Sequence, residues 1–451
     1  MKKRAAFYTL GCKLNYAETA SLERQFAEEG FEIIPFDSSM DVCVINTCSV
    51  TDRADREARQ IVRRALRTSP EAFVVVLGCY AQLDPEKIAS IEGVDLVLGA
   101  SEKFDIMKYA AGFAKFDAPR IHVSPISEAN DFGVAYSSTA DDRTRAFLKV
   151  QDGCDFNCSY CTIPLARGKS RSQLIGATVA QARTLTAQGY KEIILTGVNV
   201  GDYGKKDESS LLDLLRALDE IDGLTRIRIS SIEPNLLTDE LLEHWLSSEK
   251  ICKHFHIPLQ SGSDKILKLM RRRYTSADYE QLIRTINTRA PHAGIGVDVI
   301  VGFPGETAEI FEETYNFLNS LPISYLHVFT YSERPNTPSL DLPERIEPRH
   351  RTGYSRRLRM LGQMKKSAFY EAHTGSLQTV LCETTVQDNM LSGYTENYIR
   401  VQVPYHPQLE NAIARVRLTG HGAEACLGVV EHIENGRVPV SIHLPILKEA
   451  S

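Results

Sequence analysis

No uncharged apolar run of about 18 residues occurs in the chain, and a membrane-spanning helix needs one. The pattern of a secretory leader is missing too. The basic start MKKR runs into AAFYTL and then a polar segment with a cysteine, without the apolar length or cleavage pattern. A cytoplasmic location without a membrane partner is expected. The ten cysteines are few for a secreted disulfide scaffold of 451 residues, yet too many and too unevenly placed to be idle. Excess positive charge is absent as well. The formal net charge of −6 argues against a uniformly basic nucleic-acid coat, while leaving room for a local basic face. The most informative absence is local: in GCDFNCSYC, Gly153 to Cys161, three cysteines cluster and no fourth donor follows.

A chain this long suggests roughly two to four domains. Between Ala5 and about Leu98 the runs AAFYTL, FEIIPF, VCVIN, FVVVLG and VDLVLG alternate with amphipathic stretches such as Tyr16–Glu29 and Arg53–Arg67. That rhythm predicts an α/β unit with a doubly wound parallel sheet, bounded at 1–120. From Lys103 to Asp142 the composition suggests a final helix and a connector. Residues 140–370 alternate again: AFLKVQ, KEIILTG, TRIRISS, KHFHIPL, GIGVDVIVGF and ISYLHVF read as six strands of a partial (βα)6 barrel. After a helix rich in Arg, Lys and Met (Arg349–Thr374), SLQTVLCETTV, YTENYIRVQVPY, NAIARVRLTG and EACLGVVEHI predict a small β-barrel over 374–440.

Cys154, Cys158 and Cys161 follow the first strand of the barrel, in a turn made exposed by Gly153, Asp155, Asn157 and Ser159. Three buried structural thiols or a zinc site are the plainer readings, but zinc needs a fourth donor. Three thiolates suit a cubane whose fourth iron stays open to a non-protein ligand. Unusual residues recur at the other strand ends, on the rim where such barrels bind ligands. Gly197 and Asn199 lie in TGVNVGDYG, Ser230, Ser231 and Glu233 in SSIEP, Gln260 in IPLQSGSD, and Gly302 in GVDVIVGFPGET. These seven are the candidate cofactor-binding residues. Glu233 has alternatives as a helix cap or as the partner of an arginine, and Asp298 as a structural partner. Cys12, Cys48 and Cys79 each follow a strand of the N-terminal sheet, and parallel strands bring such positions to one edge. A second three-cysteine cluster or three core thiols fit that placement. Cys43, Cys252, Cys382 and Cys426 belong to no constellation and read as core.

CxxxCxxC resembles the signature of the radical S-adenosylmethionine superfamily. GCKLNYAET, NTCSVT, GCYAQ, QDGCDFNCSYCTIPLARGKSRS, SSIEP, IPLQSGSD and MRRRYT together resemble the methylthiotransferase family, over essentially the whole chain, with a TRAM-type C-terminal barrel in GYTENYIRVQV. Val198 departs from the glutamine common in relatives. The resemblance implies two 4Fe–4S clusters, a radical cluster on Cys154, Cys158 and Cys161 and an auxiliary one on Cys12, Cys48 and Cys79. All six cysteines then count as catalytic and metal-ligating, with S-adenosylmethionine as the further cofactor. GCKLN with NTCSVT and GCYAQ is most similar to the branch that converts N6-threonylcarbamoyladenosine at position 37 of tRNA to its 2-methylthio derivative. Two S-adenosylmethionines are implied per product, one as methyl donor and one as radical source.

The implied partners are a tRNA anticodon stem-loop, an external low-potential electron donor and an unidentified sulfur source, acting on a monomer. ARGKSRS, MRRRYT and RHRTGYSRRLRMLGQMKK are local basic regions suited to phosphates, and Tyr394, Asn397 and Tyr398 suit an unpaired loop or the packing of the small barrel. Arg167 and Arg171 are candidate contributors to base recognition. Alternatives are methylthiolation of N6-isopentenyladenosine or of a ribosomal-protein aspartate, and a nonenzymatic iron–sulfur RNA-binding protein.

Overall fold

The computed structural model describes residues 2–48, 52–110, 112–129, 132–137 and 144–434. The N-terminal unit runs β1 (Arg4–Thr9), α1 (Lys13–Glu28), β2 (Glu32–Ile34), β3 (Val42–Thr47), α2 (Asp52–Thr68), β4 (Phe73–Gly78), α3 (Cys79–Leu83), α4 (Pro85–Ala89), β5 (Leu96–Leu98), α5 (Ile106–Tyr109) and β6 (Arg120–His122). Its six strands form one parallel sheet in the order β2-β1-β3-β4-β5-β6. VCVINT and FVVVLG are buried along their whole length because helices cover both faces, as continuous apolar runs in a parallel sheet require. Val42, Val44, Val75 and Leu77 pack with Phe26 and Ile106 on one face. Cys43, Ile45, Val74 and Val76 pack with Val62 and Tyr80 on the other. Each such aliphatic side chain contributes about 1.5–3 kcal/mol by burial. The connector expected after Lys103 adds a sixth strand, β6, at the sheet edge.

The central unit contains β7 (Arg145–Lys149), β8 (Gln151–Asp152), α6 (Ile163–Arg167), β9 (Arg171–Ser172), α7 (Ile175–Ala187), β10 (Glu192–Thr196), α8 (Leu211–Asp219), β11 (Arg226–Ile229), α9 (Asp239–Ser247), β12 (His254–His256), α10 (Asp264–Leu269), α11 (Ser276–Arg289), β13 (Gly294–Val301), α12 (Ala308–Ser320) and β14 (Tyr325–Thr330). All six expected strands are present. They form two parallel three-stranded sheets, β11-β10-β7 and β12-β13-β14, linked by the bridge Ile227↔Ile251 and sharing one core through Leu148, Ile193, Ile229, Phe255 and Val297. Capping boxes start two of the outer helices, Ser210 with Asp213 on α8 and Thr275 with Asp278 on α11.

The basic helix α13 (Pro348–His373) packs along β14 as an extension of this unit. Beyond it, β15 (Leu377–Gln387), β16 (Met390–Thr395), β17 (Arg400–Pro404), β18 (Ile413–His421) and β19 (Cys426–Ile433) close into a barrel, ordered β15-β16-β17-β19-β18. YTENYIRVQVPY, read as one strand, is broken between β16 and β17. Tyr398 there has φ +71°, and Thr395 Oγ1 accepts from Ile399 N–H at 2.8 Å, so the chain turns. Among the described residues no helix is long and apolar enough to cross a membrane.

Candidate active site

β1, β3 and β4 are neighbours, and their register pairs Thr9 with Asn46 and Thr47 with Gly78. Their C-terminal ends therefore present Cys12, Cys48 and Cys79 along one edge of the sheet. Gly11 and Gly78 make the turns into two of these cysteines, at φ +105° and +99°. A Cβ on Gly11 would lie 2.7 Å from Cys48 Cβ and 3.0 Å from its Sγ, so Cys48 packs directly against the residue before Cys12. Cys12 is exposed, Cys48 half-buried and Cys79 buried. Burial pushes the Cys79 thiol up, with Arg167 acting the other way.

Arg167 is 2 % exposed and uses all five N–H groups. Nε donates to Cys79 Sγ at 3.2 Å, Nη1 to Glu18 and Asp152 at 3.0 Å each, and Nη2 to Asn15 Oδ1 at 2.6 Å and Glu18 Oε2 at 3.1 Å. Lys103 and Lys149 complete this buried network, 2.6 and 3.2 Å from Glu18 Oε1. Burial alone would raise the Glu18 carboxyl; Arg167, Lys103 and Lys149 hold it well below its ordinary range. Burial pushes Lys103 down to about 8. Arg167 thus joins the N-terminal sheet to the barrel from the inside and is closed to RNA, contrary to the sequence expectation.

Cys154, Cys158 and Cys161 sit in the loop after β8, which the short β8–β9 ladder closes. Ser159 anchors the loop by accepting at its carbonyl from Ser339 N–H and donating through N–H to Met270 O and Oγ to Leu269 O. Tyr160 packs edge-on to Phe303. Arg272 donates to Cys158 Sγ at 3.1 Å and forms a buried pair with Glu233. Burial pushes Cys154 up to about 11 and Cys161 up to about 12, so thiolates there require neighbouring cations, which iron would provide. Both trios fit iron chemistry in this sense: sulfur donors with a guanidinium N–H donor beside one of them, and turns that free the backbone around them.

Beside Cys12 lies a pocket of about 590 Å³, which none of Cys154, Cys158 and Cys161 lines. Cys12, Lys13 and Tyr16 form one wall; Gly197, Ser230 and Ser231 come from the strand ends; His256, Asp298 and His327 come from β12, β13 and β14; and Tyr398 of the small barrel lines it as well. Thr196 Oγ1, Ser230 Oγ and His254 Nδ1 have no hydrogen-bond partner. The other expected cofactor residues, Asn199, Glu233, Gln260 and Gly302, are not among those that line this pocket. Asn199 is buried, donating to Asp202 at 3.1 Å with its Oδ1 unpartnered. Glu233 faces Arg272, the alternative noted for it. Gln260 has φ +72° and donates its N–H to Asp298 O at 2.8 Å. The side-chain-free space at Gly302 is taken by Arg351, whose Cγ lies 2.2 Å from where a Cβ would be, so it serves packing. Cys43, Cys252, Cys382 and Cys426 are buried in the cores.

The model described as the Radical SAM superfamily matches residues 148–318, and the one described as Uncharacterized protein family UPF0004 matches residues 4–99. The threonylcarbamoyladenosine tRNA methylthiotransferase MtaB of Bacillus subtilis is 39% identical over 92% of this chain and 94% of its own length. The chain belongs to the radical SAM tRNA methylthiotransferase family. A tRNA-2-methylthio-N(6)-dimethylallyladenosine synthase of Syntrophotalea carbinolica is 31% identical over 92% of this chain and 97% of its own. In fold the chain resembles the radical S-adenosylmethionine methyltransferase TsrM of Kitasatospora setae, with a TM-score of 0.58 at 16% identity, over 75% of this chain and 77% of that one.

For this methylthiotransferase, membership implies a 4Fe–4S cluster and S-adenosylmethionine. Its RNA-facing features differ from expectation. The Arg272 side chain is buried against Cys158, leaving Arg271 and Arg273 exposed in MRRRYT. Asn397 is buried, donating to His292 O at 2.8 Å, and Tyr398 stacks on His254 at 4.4 Å. Those groups of the small barrel face the central unit rather than solvent. A second groove of about 470 Å³ runs between α13 and the small barrel, with Arg359, Lys366 and Arg400 along it. Sequence reasoning missed Lys13 and His327 as pocket residues, and used Asp298 only as a structural partner. The available signal was the HFH run on β12 together with the alternation along β13 and β14.

Proposed function

We propose that the chain methylthiolates C2 of N6-threonylcarbamoyladenosine at position 37 of tRNA, using two 4Fe–4S clusters and S-adenosylmethionine. The observation that carries this reading is that Cys12 of the N-terminal sheet and Gly197, Ser230 and Ser231 of the barrel rim line one pocket. Cys154, Cys158 and Cys161 hold one cluster, and Cys12, Cys48 and Cys79 the other. When bound, the first supplies the electron for reductive cleavage of S-adenosylmethionine and the second supplies the sulfur.

The chain's own residues position and protect. Arg272 fixes Cys158 and Glu233 together, so the loop and the rim move as one. Ser230 and Ser231, with Asn199, Glu233 and Gln260 around them, bind the S-adenosylmethionine. Phe147, Tyr325 and Tyr398 give the pocket aromatic surface against which a base can stack. Arg359, Lys366 and Arg400 contact phosphates of the anticodon stem-loop. An external low-potential donor supplies electrons to a cytoplasmic monomer.

The test is anaerobic reconstitution of the full chain, an iron count, and product analysis after separate incubations with tRNA carrying threonylcarbamoyladenosine, tRNA carrying isopentenyladenosine and an aspartate peptide. About eight irons per chain and the 2-methylthio product are expected. About four irons with undiminished product would sink the two-cluster reading. A product on the isopentenyl tRNA alone, or on an aspartate peptide, would sink the substrate. Cys48→Ser is expected to lose about half the iron and all methylthiolation while retaining reductive cleavage of S-adenosylmethionine.

A further inference from the structure

We infer that Lys13 and His327 are specificity-determining residues that select a substrate whose N6 substituent carries a carboxylate. The inference rests on the proposed reaction in this pocket and goes further, by assigning the end of the pocket that reads the substituent.

Lys13 and three imidazoles, His254, His256 and His327, line the pocket against one acid, Asp298. That acid is already engaged. Its Oδ1 lies 2.7 Å from His256 Nε2 and 3.2 Å from His327 Nδ1. Asp298 and His327 are register partners on β13 and β14, so the backbone itself fixes this arrangement. His327 is left with Nε2 unpartnered on a side chain that is 50% exposed. Lys13 makes no hydrogen bond or ion pair with any described residue, although it is half-buried. The pocket therefore holds cationic and donor capacity that no acid in its lining balances. A bound carboxylate is the acceptor that Lys13 and the open imidazole nitrogen can take by charge-assisted hydrogen bonds.

A second observation points to a polar ligand. Thr196 and His254, 1% and 2% exposed, also line the pocket, and Thr196 Oγ1 and His254 Nδ1 lack partners. Buried polar atoms are rarely left unpaired without a reason. A threonylcarbamoyl substituent offers a carboxylate, a hydroxyl and a ureido group. The carboxylate meets Lys13 and His327; the hydroxyl and ureido meet Thr196 and His254. A hydrocarbon substituent of similar length would bury the same atoms and satisfy none. A site built to hydrogen-bond its substrate rejects such an analogue strongly.

The test compares two synthetic anticodon stem-loop RNAs, one with the threonylcarbamoyl carboxylate and one with its carboxamide, which keeps the shape and removes the charge. The reconstituted full chain is assayed with Lys13→Met, Lys13→Gln and His327→Phe, measuring kcat and KM for both RNAs, iron content and S-adenosylmethionine cleavage. The unsubstituted enzyme should favour the carboxylate by about 100-fold in kcat/KM. Each variant should bring that ratio below about 10, mainly through KM on the carboxylate RNA, with iron and cleavage retained. An unchanged ratio, including equal loss on both RNAs or loss together with iron, overturns the inference. If the unsubstituted enzyme modifies both RNAs equally, this inference alone falls; if it modifies neither, the proposed function falls.

Discussion

Replacing Arg167 with methionine should loosen the join between the N-terminal sheet and the barrel. The substitution keeps much of the side chain's length but removes five donors from Cys79, Asn15, Glu18 and Asp152. Glu18 and Asp152 keep Lys103 and Lys149, so the carboxylates are not stripped of all counter-charge. Removing one partner from a buried ionic network costs about 3–5 kcal/mol. At about 2–4 °C per kcal/mol for a cooperative unit of this size, the melting temperature should fall on the order of 10 °C. Arg167→Lys preserves the charge without the planar fork and should recover part of the loss. Arg171→Met is the control, since Arg171 approaches Asp152 only at 3.7 Å. The assay is anaerobic thermal unfolding with limited proteolysis between the units. A fall of less than about 2 °C for Arg167→Met, or an equal fall for Arg171→Met, would refute the reasoning.

Glu306 is 0% exposed, and burial raises its carboxyl to about 8, partly opposed by the Gly302 N–H. Because the folded state holds a proton that the unfolded state releases above the ordinary carboxyl value of 4.5, stability should fall as pH rises from about 4.5 to about 8, by up to about 1.4 kcal/mol per unit. Glu306→Gln should therefore gain on the parent as pH rises through that window in denaturant titrations; a constant difference would contradict the buried, protonated carboxyl. Gly78→Ala places a Cβ 2.5 Å from Asn46 Oδ1 and from Thr47 O at a φ of +99°. It should lose about 1–3 kcal/mol and the iron attributed to Cys79 first, and a parental denaturation midpoint with full iron would count against that turn.

Much of the architecture was legible because burial is written into composition. VCVINT and FVVVLG are covered on both faces and read as strands at once, whereas the exposed edge strand RIH (β6) gave no such signal. The cysteine placements followed from strand ends. The long cationic side chains did not follow, because sequence alone cannot say whether an arginine at a loop end reaches outward or inward. Arg167 and Arg272 turn inward to sulfur and carboxylate, where a basic string suggested phosphates. The same holds for Tyr398, whose backbone turn points its ring at His254. The His256, Asp298 and His327 arrangement comes from three strands far apart in sequence, and only their register unites them.

The small barrel does more than sit beside the catalytic unit. Arg226 donates to Tyr394 O and Thr379 O, and Arg228 to Thr395 O and Glu396 O, so strand β11 is bonded directly into the small barrel's backbone. Tyr398 then completes a wall of the pocket itself. Any displacement of the small barrel against β11 would therefore change the shape of the pocket itself, with no intermediate linkage to carry the signal.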